Sequence, residues 1–394
     1  MTQTIYQNMN LYDGEEEKVT SNSYFVVDDE TGKITAMGTG TAPASDKVVD
    51  LEGKFVMPGL INCHTHINNS STAFDGDPTA NVVETTVRAV QHLHDFLKSG
   101  VTYIRECGST YDIDITLARM IEEGKITKTP EIMPSGMAYS MTGGHGDSPH
   151  FAHLVDSPDE MRKAVRQGLK KGAKNIKVMA TGGVMTKNDF MDDPQLSVAE
   201  MRAAVEEAHH KGLIVAAHAE GNAGIGNAIK AGVDSIEHGF YVDDDQIDMM
   251  LKQGTYLTAT VVADWAFPTY AVGKMPDWEV KKASDALDDL RKNITHAKNR
   301  GVKITLGTDA GTPFNDYFQT PTELQLLAEQ GFTNYEALQT SVHSAQLMKI
   351  DDEYGTLAIG KYADFLVLDE NPLADVKAVA QKDKAVYKKG QRAY

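Results

Sequence analysis

The sequence has only two cysteines, Cys63 and Cys107, among its 394 residues. Two cysteines are too few for the disulfide framework of a small secreted domain. No apolar run approaches the roughly 18 residues that would cross a bilayer. The N-terminal stretch MTQTIYQNMNLYDGEEE lacks the basic and apolar regions of a secretory signal. We therefore expect a cytoplasmic protein that does not associate with membranes.

Basic residues are scarce relative to acidic ones. The chain has 38 Lys and Arg against 56 Asp and Glu, which gives a formal net charge of −18. Such a charge disfavours binding to nucleic acid or to anionic lipid. Hydrophobic residues make up 41% and charged residues 24%, as in proteins with a packed core. These numbers exclude a largely disordered chain and leave an enzyme or a binding protein for small molecules.

The two ends of the chain share a similar residue pattern. Near the N-terminus, short β-type stretches alternate with turn residues, and the segment from Phe365 to Asp369 repeats this pattern near the C-terminus. Neither end has enough apolar residues for a core of its own. We therefore predict one small β-sandwich domain built from residues 1–56 and 352–394.

Between these ends, apolar strand-like runs alternate with helical stretches, which is the pattern of a parallel α/β sheet. Ser197 to His210 reads as a helix with a capping box formed by Ser197 and Glu200. Residues 263–295 read as a longer helical insertion. Eight candidate strands favour a (β/α)8 TIM-like barrel over residues 57–351, with a doubly wound open sheet as the rival. The strands are 55–57, 101–104, 132–133, 176–179, 213–217, 235–236, 256–261 and 302–306.

Residues suited to metal binding recur at or near the carboxyl ends of these strands, where barrel enzymes carry their active sites. His64 and His66 are one residue apart and point the same way along an extended segment. Two imidazoles on one face can bind one divalent ion, although two solvated loop histidines would give the same spacing. The further residues at this rim make a metal site the better interpretation: Lys177, His218, His238 and Asp309.

These residues resemble the amidohydrolase superfamily over essentially the whole chain. The motif Pro58-Gly59-Leu60-Ile61-Asn62-Cys63-His64-Thr65-His66 carries the resemblance, together with the four later residues and the C-terminal segment 355–367. The resemblance implies two divalent metal ions, with zinc the best candidate. It assigns the first ion to His64, His66 and Asp309 and the second to His218 and His238, with a carboxylated Lys177 bridging both.

The same resemblance implies the reaction. A hydroxide shared by the two metals would attack a carbonyl carbon, and Asp309 would carry its proton to the leaving nitrogen. The predicted reaction is hydrolysis of an amide or similar C–N bond in a small molecule. The resemblance further implies that the protein is a homo-oligomer.

Within the superfamily, the chain looks most similar to dipeptidases and carboxypeptidases that act on Xaa-Pro dipeptides or N-acyl amino acids. The glycine-rich loop Thr142-Gly143-Gly144-His145-Gly146 carries this likeness, and by resemblance His145 contacts the substrate carboxylate. The chain departs from several group members two residues after His218, where Glu220 replaces a tyrosine. A carboxylate there would repel a substrate carboxylate, so we expect Glu220 to meet an amino group or a basic side chain, or to orient a loop.

Two alternative functions compete with this prediction. Imidazolonepropionases hydrolyse a cyclic amide on a similar skeleton, but they usually use one metal and lack the bridging lysine, so Lys177 argues against them. A non-catalytic scaffold of the same fold would have lost ligands, whereas this chain keeps every ligand position.

Overall fold

The computed structural model describes residues 2–69, 81–184 and 189–394. In these residues the strands are β1 (Gln3–Leu11), β2 (Thr20–Asp28), β3 (Ile34–Thr39), β4 (Val48–Asp50), β5 (Phe55–Pro58), β6 (Leu60–Thr65), β7 (Val101–Glu106), β8 (Glu131–Met133), β9 (Ala138–Ser140), β10 (Ala152–Leu154), β11 (Asn175–Met179), β12 (Ile214–Ala219), β13 (Ser235–His238), β14 (Tyr256–Thr258), β15 (Ile304–Thr305), β16 (Phe365–Leu368), β17 (Ala385–Lys388) and β18 (Gln391–Arg392).

The α-helices lie mostly between the strands of the central part of the chain. They are α1 (Val82–Ser99), α2 (Ile113–Glu122), α3 (Pro158–Lys171), α4 (Val198–His209), α5 (Asn222–Ala231), α6 (Asp244–Gln253), α7 (Val261–Ala266), α8 (Asp277–Arg300), α9 (Thr320–Glu329) and α10 (Asn334–Leu347). No helix among the described residues is long and apolar enough to span a membrane.

Strands from both ends of the chain share one eight-stranded sheet. Its order is β18-β17-β16-β5-β1-β2-β3, with β4 paired to β1. Aromatic side chains fill its core: the Phe365 and Tyr387 rings stack with centroids 4.3 Å apart, and Phe25 meets Phe365 edge-on. Burial of these apolar rings supplies the driving force that holds the two distant chain segments together.

The prediction that residues 55–57 form the first strand of the central sheet is wrong. Strand β5 pairs with β16 and β1 in the terminal sheet, and β6 pairs with β7 in its place. The apolar run is divided at Gly59, where a Cβ atom would lie 2.5 Å from the Thr102 side chain. Only glycine allows the chain to pass that close to β7.

The central strands are parallel and fall into two sheets, β6-β7-β8 and β10-β9-β11-β12-β13-β14-β15. Backbone hydrogen bonds join the two sheets at both edges. Lys174 N donates to Pro134 O (2.8 Å), and Cys63 N donates to Leu306 O (2.7 Å). The third predicted strand, 132–133, is β8, which pairs with β7. A separate strand that was not predicted, β9, follows Pro134 and pairs with β11. The structure is therefore an α/β fold whose parallel strands all direct their carboxyl ends to one rim.

Local sequence signals explain several element boundaries. Ser197 accepts a hydrogen bond from Glu200 N, and the Glu200 side chain accepts one from Ser197 N, so the predicted capping box of α4 is confirmed. The predicted helical insertion consists of α7, a π-helical turn at Phe267–Ala271 and α8. Strand β14 ends at Thr258 rather than at residue 261 because Thr260 adopts a left-handed φ of 53° and α7 begins after it.

Candidate metal centre and active site

A single cavity of about 560 Å³ gathers all eight candidate site residues from the sequence analysis. Strand β6 and the residue after it carry the first two histidines, and the other ligand candidates lie on β11, on β12, at the end of β13 and four residues after β15. The two candidate substrate contacts come from the loop after β9 and from the end of β12. The eight residues are His64, His66, His145, Lys177, His218, Glu220, His238 and Asp309.

The first histidine pair surrounds one carboxylate oxygen. His66 Nδ1 lies 3.0 Å from Gly108 O, and because a carbonyl only accepts, Nδ1 carries the proton. His64 Nδ1 likewise faces Glu237 Oε2 at 2.7 Å. The Nε2 atoms of both rings therefore present lone pairs toward Asp309 Oδ1, at 3.3 Å from His64 and 3.0 Å from His66.

This arrangement fits a divalent cation. Three acceptor atoms face one another, and Asp309 Oδ1 has no hydrogen-bond partner among the described residues. Burial lowers the pKa of His66, which favours the neutral ring that ligates metals. Burial alone would raise the pKa of Asp309, but the neighbouring His64 and His66 hold it well below its ordinary value. Imidazole and carboxylate donors of this kind suit zinc and related divalent ions.

The second histidine pair adjoins the first. The rings of His218 and His238 have centroids 4.9 Å apart, and those of His64 and His238 are 4.8 Å apart. His218 Nε2 donates to Gly182 O (3.0 Å), which leaves Nδ1 as the nitrogen that could bind a metal ion. His238 Nδ1 contacts Thr260 Oγ1 (2.8 Å). Burial, followed by the other nearby histidines, lowers the pKa of both rings well below the usual value.

Lys177 projects from β11 into this group of histidines. Its Nζ lies 3.3 Å from His64 Nε2, and the residue is only 1% exposed. Among the described residues, no carboxylate oxygen forms an ion pair with it within 4.0 Å. Lys177 is therefore not held in place by an acidic partner among the described residues. A buried ammonium without a counter-ion is costly.

Two residues that the sequence analysis did not assign to the site support the first histidine. Glu237 Oε1 accepts a hydrogen bond from Arg105 Nη2 (2.7 Å), while its other oxygen faces His64. Burial would raise the pKa of Glu237, but Arg105 and then His64 bring it well below its ordinary value. A carboxylate behind a metal-binding histidine fixes the ring and strengthens it as a ligand. The sequence signal that could have identified them is a charged residue inside an apolar strand: Arg105 in β7 and Glu237 in β13.

The backbone is strained at the candidate metal ligands that follow the strands. His238 has a φ of 74° and Asp309 a φ of 55°, and Thr260 beside His238 has a φ of 53°. Residues other than glycine rarely adopt this left-handed region, and each instance costs about 1–3 kcal/mol. The surrounding packing must hold these side chains in place, as is typical of functional sites.

His145 stacks on His218 at the edge of the candidate metal centre. The two ring centroids are 4.2 Å apart and the planes differ by 8°. Asp189 Oδ2 lies 2.7 Å from His145 Nδ1, and Gln195 Nε2 donates to the other Asp189 oxygen (2.6 Å). This network leaves Nε2 of His145 for a ligand. Gly183 permits the arrangement because a Cβ atom there would lie 2.5 Å from the His145 ring.

Glu220 lies behind the second histidine pair. Its Oε1 is 3.7 Å from His218 Nε2, and its Oε2 is buried without a hydrogen-bond partner among the described residues. Burial raises the pKa of Glu220 well above its usual value, and Asp264 raises it further. Together with His218 and His238, Glu220 forms one of the residue groups close enough to hold a metal ion.

Residues 55–393 match the amidohydrolase family. The chain belongs to that family. It is 34% identical to the ochratoxinase of Aspergillus niger over 364 residues, which cover 84% of this chain and 73% of the ochratoxinase. The imidazolonepropionase of Pseudomonas putida (strain GB-1) is 25% identical over 373 residues, covering 84% of this chain and 83% of that protein.

A solved structure extends the likeness to the whole amidohydrolase chain. A Xaa-Pro dipeptidase with methionine bound in its active site superposes with a TM-score of 0.91 at 30% identity, covering 99% of both chains. The predicted family is confirmed, and the protein is an enzyme of the amidohydrolase class, whose relatives here hydrolyse C–N bonds.

Proposed function

We propose that this amidohydrolase is a binuclear metal-dependent enzyme that cleaves a peptide-like amide bond. The proposed architecture is a closed (β/α)8 barrel over residues 57–351, with the composite terminal domain covering one flank. The hydrogen bonds from Lys174 to Pro134 and from Cys63 to Leu306 support closure, because they link the two parallel sheets at both edges. The carboxyl-end rim of such a barrel is the usual place for an active site.

Three of the six ligand candidates would hold the first ion: His64, His66 and Asp309. His218 and His238 would hold the second, and Lys177 would span both once its amine is carboxylated. When bound, the two ions would supply Lewis-acid chemistry that makes water nucleophilic near neutral pH and polarises the carbonyl group. We favour zinc for this donor set.

Asp309 would act as the proton carrier of the reaction. Its Oδ1 faces His64 and His66, which leaves Oδ2 to receive the proton of the attacking water and deliver it to the departing nitrogen. General acid–base help of this kind is worth about 10²–10⁴-fold in rate. His145 would bind the substrate carboxylate through Nε2, since its Nδ1 is taken by Asp189. Glu220 would contact the substrate as well.

The observation that carries the proposal is the environment of Lys177. A buried amine 3.3 Å from a histidine nitrogen, with no carboxylate paired to it in the described part of the chain, is what a bridging carboxylated lysine requires. The likeness to a Xaa-Pro dipeptidase and to an ochratoxinase supports a dipeptide or an N-acyl amino acid as the substrate.

The test is hydrolysis of a dipeptide and N-acyl amino acid library by metal-loaded protein, with elemental analysis of the same sample. The proposal predicts turnover of amides with a free C-terminal carboxylate and two ions per chain. One ion per chain with turnover of a cyclic amide instead would favour the imidazolonepropionase alternative. Absence of any amide hydrolysis by the fully loaded protein would contradict the proposal.

A further inference from the structure

The first turn of α7 is held by a residue from a distant part of the chain. Glu323 of α9 accepts hydrogen bonds from Val261 N (2.9 Å) and Val262 N (2.6 Å), one at each carboxyl oxygen. These two donors belong to the backbone N–H groups at the start of a helix that find no partner inside it. Glu323 therefore caps α7 from 61 to 62 positions away in the sequence.

Thr260, the residue just before α7, does not cap the helix itself. Threonine is often found at this position because its hydroxyl can accept a hydrogen bond from the first helical turn. Here Thr260 has a left-handed φ of 53°, and its side chain makes no capping hydrogen bond. Its Oγ1 lies 2.8 Å from His238 Nδ1 instead. The capping by Glu323 thus leaves the Thr260 hydroxyl for a candidate metal ligand.

The contact with Thr260 bears on which nitrogen of His238 could bind an ion. His238 belongs to two of the residue groups that are close enough to hold a metal. A neutral imidazole carries its proton on one nitrogen and offers a lone pair on the other. For Nε2 to bind an ion, Nδ1 must carry the proton, and Thr260 Oγ1 is then its acceptor. The left-handed φ of 74° at His238 persists only where the surroundings hold the residue in place.

Glu323 occupies a position that is unfavourable for an acid. The residue is completely buried and does not line the cavity, so it has no direct contact with a molecule bound there. Burial raises the pKa of its carboxyl group to about 8, and the amide groups of Val262 and Val261 oppose that rise. An apolar side chain would avoid this cost. The acid is therefore best explained by its two acceptor oxygens and by what they hold in place.

We propose that Glu323 is a positioning residue for His238. It anchors the start of α7, and α7 in turn places the Thr260 hydroxyl at Nδ1 of His238, so that Nε2 is offered to the second ion. The inference rests on the proposed binuclear centre and adds to it a residue outside the cavity. Groups that orient a metal-binding histidine are worth about 10–100-fold in metal affinity.

The first measurement is the affinity for each ion, from zinc titration of the metal-free chain in bicarbonate against a competing chelator. Glu323→Gln keeps the size of the side chain but replaces one acceptor oxygen with a donor, so one backbone amide loses its partner. Thr260→Val removes only the hydroxyl. Each variant should bind one ion about tenfold more weakly and the other as in the wild type. The weakened ion should be the one that His238→Gln loses.

Further variants separate positioning from folding. Thr260→Ser keeps the hydroxyl and should restore wild-type affinity for both ions. Glu323→Gln/Thr260→Val should bind the ion no more weakly than Thr260→Val alone, because both changes break the same connection. Asp364→Asn is the matched control: Asp364 is a buried acid that accepts a hydrogen bond from Lys389 N (2.6 Å) in the terminal domain. Its loss should lower stability to urea and leave both affinities unchanged.

The second measurement needs no bound ion. Histidine ring NMR of the metal-free chain shows which nitrogen of His238 carries the proton, with the signals assigned by their absence from His238→Gln. The wild type should carry it on Nδ1. Glu323→Gln and Thr260→Val should shift the His238 signals and leave those of His64 in place. Glu323→Asp keeps the charge but withdraws the carboxylate from the amides, so it should have the same effects and replaces Glu323→Gln if that variant does not fold.

The outcomes separate this inference from the function on which it rests. Wild-type affinity for both ions in Glu323→Gln or in Thr260→Val would overturn the inference and leave the binuclear centre intact. Equal weakening of both ions in Glu323→Gln would show that this residue supports the fold in general, which would also overturn it. If the wild type binds fewer than two ions, the proposed centre fails. The ring NMR then decides the inference, and unchanged His238 signals in the variants would overturn it.

Discussion

His64 Nδ1 and Glu237 Oε2 lie 2.7 Å apart, and both side chains are completely buried. Glu237 is in turn bound to Arg105, so one chain of contacts runs from a guanidinium through a carboxylate to a candidate metal ligand. Residues that are 173 positions apart in sequence thereby fix which nitrogen of His64 faces the cavity. The geometry of the candidate metal centre depends on this support as much as on the candidate ligands themselves.

Glu237→Gln should weaken metal binding by about 10–100-fold, because His64 loses its anionic partner. The variant should also lose about 3–5 kcal/mol of stability, since Arg105 would remain as an unpaired buried charge. Metal affinity by competition with a chelator and urea unfolding measure the two effects. The double variant Arg105→Met/Glu237→Met should regain stability but not metal affinity. Wild-type affinity in Glu237→Gln would contradict the supporting role.

Asp309→Asn should lower kcat by about 10²–10⁴-fold, because the amide cannot accept the proton of the attacking water. The measurement is steady-state kinetics at saturating substrate, with the metal content of the same sample determined in parallel. A metal-loaded Asp309→Asn enzyme with near wild-type kcat would show that another group carries the proton.

Asp189→Asn should impair recognition of the substrate carboxylate, because the His145 ring loses its charged partner at Nδ1. The expected loss is about 1.5–3 kcal/mol, or roughly tenfold or more, and it should appear mainly in KM. The control is the same substrate with its C-terminal carboxylate converted to a primary amide. If acid and amide substrates are affected equally, His145 does not read the carboxylate.

The stability of the protein should depend on pH through Glu279. Burial raises the pKa of this α8 carboxyl to about 7 from its ordinary 4.5. Between these values the folded state holds a proton that the unfolded state has lost, so the contribution of Glu279 to stability falls as pH rises from 4.5 to 7. A shift of this size corresponds to at most about 3 kcal/mol, since one pKa unit is worth about 1.4 kcal/mol.

Urea unfolding of wild type and Glu279→Gln at pH 5 and pH 8 checks this prediction. The variant should gain stability relative to wild type at the higher pH. Glu329→Gln, which removes a solvent-exposed acid of α9, provides the comparison and should show no such change. Parallel pH dependence in wild type and Glu279→Gln would refute the assignment.

The candidate ligand residues could be singled out from the sequence because their signal is local. His64 and His66 stand in a contiguous motif, and His218 and His238 each end a short apolar run that predicts a strand. The capping box at Ser197 was predictable for the same reason, since its partner is three residues away. Parallel strands then bring their carboxyl ends together whatever the distance along the chain.

Features that depend on distant partners could not be predicted. Seen alone in the sequence, neither Glu237 nor Arg105 indicates that the two side chains contact each other. The contact forms only when β7 and β13 face the same interior. The prediction for residues 55–57 names the wrong sheet because an apolar run does not reveal which neighbours it pairs with.

The measurement that tests the central claim most directly is the metal content of wild type and Lys177→Ala, determined by elemental analysis after loading with zinc and bicarbonate. The proposed centre predicts two ions per chain in the wild type. It predicts loss of at least one ion and of amide hydrolysis in Lys177→Ala. A Lys177→Ala protein that keeps both ions and full turnover would contradict the account.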